Sequence, residues 1–284
     1  MHSGEVALRT LILAYDGLDP DLVNELNLRN IMQKEHGQVS VPIVGGIDDP
    51  STPIVWTSFI TGVDPSVHGV DMPEVWNNQI DGFRSALRKY KKVHQLLRKL
   101  KIGYGVRKTL GVEASFPSRK NIKVDTFFEV IKPSIALGVP VYNKNLHQIY
   151  PVGDVIRARQ DPELREAFEK RVRDRFNEEI QTLFKALDED WRLLMIHFHI
   201  TDLFGHAFWG TDKLATLYAE MDLLTKRVKE RLREDDVVLI ISDHGMGRLG
   251  HTKKGFYSFN VNIGLRDPDI KDFYKIIVGL LRNP

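Results

Sequence analysis

VVLIISDHG, residues 237–245, sets the fold of this chain. An unbroken apolar run stops abruptly in a serine, an aspartate, a histidine and a glycine. A short run of this kind, bounded by turn residues, reads as a strand buried on both faces. Strands buried on both faces belong to parallel sheets sandwiched between helices. Sites in such sheets gather outside the carboxyl ends of the strands, where Asp243 and His244 stand. A carboxylate and an imidazole at that place are costly to desolvate unless something binds them, and a divalent metal is the simplest such partner. A second histidine, His251, follows one short Gly-containing loop later.

The same alternation runs outward through the chain. Residues 6–15 (VALRTLILAY) predict another strand buried on both faces, bounded by Asp16-Gly17. Residues 38–44, 135–142 and 193–200 predict further strands. Helices are expected over 20–35, 52–61, 161–187, 211–233 and 270–282. Pro53 suits a first helical turn and Gly62 stops that helix, while Asp161-Pro162 and Thr211-Asp212 open two more. The expectation is an α/β protein: a three-layer α/β/α core with a largely parallel central sheet, formed by residues 1–74 and 135–284. Residues 75–134 read as an inserted basic cap. Within it, residues 84–123 carry thirteen Lys and Arg but almost no acidic residues. A solvated helical face accounts for this run most simply; a positive rim that draws in an anionic substrate is the sharper reading.

Composition narrows the chemistry. A chain of 284 residues with a formal net charge of +2 gives no reason to expect a nucleic-acid partner. With no cysteine, disulfides, thiol catalysis and thiolate-bound zinc are excluded. Any metal must take His, Asp, Glu and hydroxyl ligands, which suits zinc or manganese in a catalytic site. No signal peptide and no apolar stretch of membrane-spanning length is evident, so a cytoplasmic protein is expected. Oligomeric state is not legible.

Three predicted strand ends each deliver an acid: Asp16, Asp202 and Asp243. Asp202 and His206 lie one helical turn apart and can address one ion. With His244 and His251 they make six candidate ligands, enough for two metals with three each and with positions left open for a substrate oxygen and a water. Thr52 is the natural nucleophile, because it opens a helix whose exposed backbone N–H groups favour an anion, and a metal would activate its hydroxyl. Each has a plainer alternative. Asp243 or Asp202 could cap a helix, Thr52 could be an N-cap with Ser51 as the rival hydroxyl, and His251 could lie on a mobile loop. His197 and His199 share one strand face, opposite Asp202, and read as core residues or supports behind the ligands. Phe204 and Phe208 read as core rather than a base-stacking platform, and His68 as a hydrogen-bonded turn residue.

YDG (15–17), STPIVWTSFITGVDPSVHG (51–69), TDLFGH (201–206) and SDHGMGRLGH (242–251) together resemble the alkaline phosphatase superfamily. Within it they are most similar to the type I phosphodiesterase/nucleotide pyrophosphatase group, especially its small soluble prokaryotic members. Four motifs in this order make a specific match, which covers both ends of the core and not residues 75–190. The resemblance implies that Asp16, Asp243 and His244 bind one zinc, which also holds the Thr52 oxygen, and that Asp202, His206 and His251 bind the other. Thr52 would attack phosphorus and form a phosphothreonine, later released by water. The implied substrate is a small anionic phosphate ester, a phosphodiester or nucleotide pyrophosphate. Phosphomonoesterase or phosphotransferase activity is the alternative within the superfamily, and a metal-stabilised scaffold with a basic binding segment is the alternative outside catalysis. Two positions depart from the better known members. Asp71-Met72-Pro73 follows the HGV triplet, so Asn77 and Asn78 are the nearest candidates for an asparagine that supports a phosphoryl oxygen. The last histidine ligand comes early, as in the phosphoethanolamine-transferase branch, because no histidine follows His251.

Overall fold

A computed structural model describes residues 8–44, 49–72, 116–143, 152–248 and 250–282. Its main sheet contains β1 (Thr10–Tyr15), β2 (Glu35–Ser40), β3 (Ser134–Leu137), β4 (Leu193–Phe198), β5 (Val237–Ile241) and β8 (Lys254–Phe259). Their order across the sheet is β2–β8–β5–β1–β4–β3. β3, β4, β1 and β5 run parallel, whereas β8 pairs antiparallel with both β5 and β2. β6 (Met246–Gly247) and β7 (Gly250–His251) pair separately.

Alternation along the central strands sorts their side chains into two apolar layers. Leu11, Leu13, Leu194, Ile196, Val238 and Ile240 pack with α6 (Pro162–Leu187), α7 (Ile200–Phe208) and α8 (Asp212–Lys229). Ile12, Ala14, Leu193, Met195, Leu239 and Ile241 pack on the other side with α2 (Thr52–Thr61), α4 (Phe127–Val130) and α9 (Asp272–Arg282). The three-layer α/β/α arrangement therefore follows from strands that are apolar on both faces. The remaining helices are α1 (Pro20–Glu25), α3 (Pro65–His68) and α5 (Val152–Gln160).

Several boundaries differ from the sequence reading. The first helix stops at Glu25 instead of near residue 35, and the chain turns through Asn27 at φ +50°. The second strand forms over Glu35–Ser40, earlier than its apolar residues suggest, because it is an edge strand placed by its pairing with β8 and, at Ser40, by a bridge to Asp269. Residues 199 and 200 leave β4 and begin α7. β8 is not among the expected strands; its second to last residues are all buried, so it lacks the alternation of a half-buried strand. The described end of the expected insertion packs inward: Phe127 and Phe128 are buried, and the Phe127 ring meets Phe59 of α2 edge-on at 5.4 Å. Residues 74–115, with most of the basic run, and Asn77 and Asn78 lie outside the described residues.

Candidate metal centre

The centre forms where β1, β4 and β5 end together. The register pairs Tyr15 with Phe198 and Ala14 with Ile241, and the Asp16 N–H donates to the Phe198 carbonyl at 3.0 Å. Asp16 therefore leaves the sheet beside the start of α7, and its carbonyl accepts from the Thr201 hydroxyl. Gly17 makes this closeness possible. It sits at φ +68°, and a Cβ there would lie 3.0 Å from the Asp202 Cα. Its N–H donates to Asp243 Oδ1 at 3.2 Å. On the β5 side, Ser242 Oγ accepts from the Phe256 N–H and lies 2.9 Å from the Leu18 carbonyl. Asp19 caps α1 with Oδ1 and accepts the Met246 N–H with Oδ2, so one carboxylate fixes both the first helix and the turn after His244. Gly245 lies under that carboxylate; a Cβ there would stand 2.3 Å from Asp19 Oδ2.

The six expected ligands converge. His244 Nε2 lies 3.4 Å from both Asp16 Oδ1 and Asp243 Oδ2. Asp202 Oδ1 lies 3.3 Å from His206 Nε2 and 3.3 Å from His251 Nε2, and those two nitrogens face each other at 2.9 Å. The His244 and His251 rings stack at 3.8 Å, so the groups touch. Among the described residues, three sets have the spacing of ligands to a single ion: Asp16, Asp243 and His244; Asp202, His244 and His251; and Asp16, His199 and Asp202.

The hydrogen bonds fix how two of these imidazoles present themselves. His244 Nδ1 lies 3.1 Å from the Gly245 carbonyl and His251 Nδ1 lies 3.3 Å from the Pro50 carbonyl. A carbonyl only accepts, so both Nδ1 atoms carry the proton. In the neutral rings Nε2 is then a lone pair, and in both it faces carboxylates, which also only accept. Asp16 Oδ1, Asp202 Oδ1, Asp243 Oδ2 and His244 Nε2 are buried and make no hydrogen bond. A cation resolves the mismatch, and a histidine held by an Nδ1–H to a carbonyl is the usual ligand arrangement. These residues fit a divalent metal.

The charges agree. Burial pushes the Asp243 carboxyl well above the ordinary range, reinforced by the neighbouring Asp16 charge. Burial also opposes ionisation of Asp16, but His199, His197 and His244 outweigh it and hold that carboxyl below its usual value. Asp202 is likewise held low against burial by His206, His199 and His251. Burial disfavours charge on His244, yet Asp243 and Asp16 raise it to about 10. The buried carboxylates thus favour positive charge beside them, whether as protons or as a metal.

Thr52 is the first residue of α2, with Ser51 as its N-cap. The His251 contact to Pro50 brings the start of this helix alongside the ligands. The helix end differs from the expected row of open donors. Pro53 has no N–H, and the Ile54 and Val55 N–H groups both donate to the Ser51 carbonyl at 2.9 Å. Of the first four helical residues, an anion there would meet at most the Thr52 N–H. His68 accepts the Val70 N–H at Nδ1 and meets Ser58 Oγ at 3.0 Å, the expected turn role. Phe204 and Phe208 are core residues, as read from sequence.

His197 is buried against Trp56, edge-on at 5.1 Å, and its Nε2 lies 3.1 Å from Oδ2 of the candidate ligand Asp16. His199 is not opposite Asp202. Its Nε2 lies 3.3 Å from Asp202 Oδ2 and 3.6 Å from Asp16 Oδ2. Strand alternation misjudged it because residue 199 is the N-cap of α7, in helical backbone geometry, three residues before Asp202. Those three residues, half a strand and half a helix apart in character, were the available signal.

A family model for type I phosphodiesterase/nucleotide pyrophosphatase matches residues 10–263. The chain belongs to that family. This phosphodiesterase-family chain is also similar to solved structures. The murine ectonucleotide pyrophosphatase/phosphodiesterase 5 is 14% identical with a TM-score of 0.48. The human protein of that name is 12% identical with a TM-score of 0.47. In both cases the match covers 84% of this chain and 57% of the other, so the chain spans little more than half their length. The PH0037 protein from Pyrococcus horikoshii is 15% identical with a TM-score of 0.48, over 98% of each chain. No curated protein matches the chain in sequence. Among the described residues, no helix is long and apolar enough to cross a membrane.

Proposed function

We propose that this chain is a metal-dependent phosphoric ester hydrolase of the phosphodiesterase/nucleotide pyrophosphatase type, with Thr52 as nucleophile and two divalent ions, zinc or manganese. The observation that carries the reading is the pair His244 and His251. Each commits Nδ1 to a carbonyl and turns Nε2 toward buried carboxylates. Asp16, Asp243 and His244 would hold one ion, and Asp202, His206 and His251 the other. When bound, the ions would supply Lewis-acid activation of the Thr52 hydroxyl and of the phosphoryl oxygens, and offset charge in the in-line displacement. Thr52 would attack phosphorus from the end of a helix whose next turns, Trp56 and Phe59, are locked in the core. Its oxygen would bond to phosphorus as the P–O bond to the leaving group breaks and that group departs with its oxygen; a diester would leave a threonyl phosphodiester, whose Thr52 O–P bond water would later break to release the phosphomonoester. Asp19, Gly17 and Gly245 would keep the ligand-bearing turns in register. The substrate would be a small anionic phosphodiester or nucleotide pyrophosphate.

The test compares an aryl phosphodiester with an aryl phosphomonoester, with zinc or manganese supplied. Diester turnover should exceed monoester turnover, and Thr52→Ala should abolish it while metal stays bound. Faster monoester turnover would make the chain a monoesterase. Inactivity on both esters with metal bound would favour the scaffold reading.

A further inference from the structure

We propose that His199 is a positioning residue that braces the two ligand groups against each other. This rests on the two-ion reading above. Asp16 and Asp202 each divide their oxygens in the same way. Asp16 turns Oδ1 toward His244, and Asp202 turns Oδ1 toward His206 and His251. The outer oxygen of Asp202, Oδ2, turns instead toward His199 Nε2 at 3.3 Å, and that of Asp16 lies 3.6 Å from the same nitrogen and 3.1 Å from His197 Nε2. One imidazole therefore stands beside one carboxylate of each group, next to His197 at Asp16 and opposite His206 and His251 at Asp202.

The two carboxylates come from different elements, Asp16 from the end of β1 and Asp202 from the first turn of α7. Their separation is set by side-chain contacts as well as by the sheet register. His199 suits this role because it is the N-cap of α7 and moves with that helix. Its ring lies 6.2 Å from that of His197, which is wedged against Trp56. An Nε2–H given to Asp202 Oδ2, with the ring packed beside Asp16 Oδ2, would limit how both carboxylates turn and leave their inner oxygens to the ions. Partners of this kind behind a ligand change metal affinity ~10–100-fold.

The experiment titrates metal-free full-length protein with zinc against a chromophoric chelator, reading stoichiometry and both affinities. His199→Phe keeps the ring shape without a nitrogen and should weaken both ions ~10–100-fold while the protein still takes up two. His199→Gln returns an N–H donor and should restore both affinities to near the wild-type values. His206→Ala, by contrast, should lose one ion and largely spare the other. Where circular dichroism shows His199→Phe misfolded, His199→Ala replaces it with the same expectation. A His199→Phe protein that loses one ion and keeps the other unchanged would make His199 a direct ligand and overturn the brace. Unchanged affinities for both ions would also overturn it. Wild-type protein that binds no zinc or manganese would instead sink the two-ion reading, a result separate from either of these.

Discussion

His68→Gln should change the pH dependence of folding by an amount that the structure sets. His68 is fully buried between α2 and the turn after α3. Its Nδ1 accepts the Val70 N–H at 3.1 Å, so the neutral ring carries its proton on Nε2, which donates to Ser58 Oγ at 3.0 Å. The Ser58 hydroxyl passes on to the Ile54 carbonyl at 2.9 Å. Burial disfavours the charged ring more than Asp71 and Asp64 favour it, and lowers its pKa from 6.5 to about 4. The sign follows: the unfolded chain takes up this proton first, so stability is full above pH 6.5 and falls as the pH drops toward 4. The whole loss approaches about 3 kcal/mol. At pH 5.0 the unfolded ring is almost fully protonated and the folded ring only about one-tenth so, a penalty of about 2 kcal/mol. Glutamine does not titrate. It keeps a donor for Ser58 but leaves the Val70 N–H unmatched, at a cost of about 1–3 kcal/mol at every pH. Urea unfolding with EDTA present at pH 7.5 and 5.0 therefore gives a simple difference. The variant should be less stable at pH 7.5, and the gap to wild type should shrink by about 2 kcal/mol at pH 5.0. All other titrating groups are common to both proteins and cancel. A gap that stays constant within about 0.5 kcal/mol would refute the buried neutral ring.

Other outcomes can be checked in parallel. Gly17→Ala places a Cβ against the Asp202 backbone at positive φ, and should cost about 1–3 kcal/mol in urea unfolding and weaken zinc binding. Gly245→Ala would drive Asp19 off the Met246 N–H, lowering stability and metal affinity together in calorimetry. Excess zinc at a hundred times its dissociation constant should stabilise the wild type by about 2.7 kcal/mol per site, and EDTA should remove this in a thermal melt. Glu35 accepts the Ile263, Gly264 and Leu265 N–H groups, which overcome burial and lower its pKa from 4.5. Its stabilisation is present above pH 4.5 and lost as the pH falls through the lower folded value. Glu35→Gln should therefore be less stable than wild type at pH 7, with the gap shrinking in acid, as read by urea midpoints.

The central strands and the long helices were legible because they carry redundant local signals. VVLII is apolar at every position and TLILAY at all but Thr10, and Asp161-Pro162 and Gly62 announce helix ends. The weaker elements carry no such redundancy. β2 is an edge strand in which only Val39 is buried, and β8 is defined by pairing with β5 and β2 rather than by alternation. α1 ends early because Asn27 adopts a left-handed turn that its apolar periodicity did not betray.

The site divides along the same line. Residue type and position past a strand end singled out Asp16, Asp202, His206, Asp243, His244 and His251, since polar ligand chemistry at those places is rare without a purpose. Sequence alone therefore determined the layered α/β fold and named the six candidate ligands that the fold brings together. Tertiary structure decided which atom of each ligand faces which neighbour. The Nδ1 protons of His244 and His251 are assigned by carbonyls of Gly245 and Pro50, and His199 is drawn between Asp16 and Asp202 because β4 ends one residue before it. A strand's period of two fixes the face of a side chain only while the strand lasts. Beyond its last residue, direction is set by the backbone geometry of the next element and by the partners that wait there.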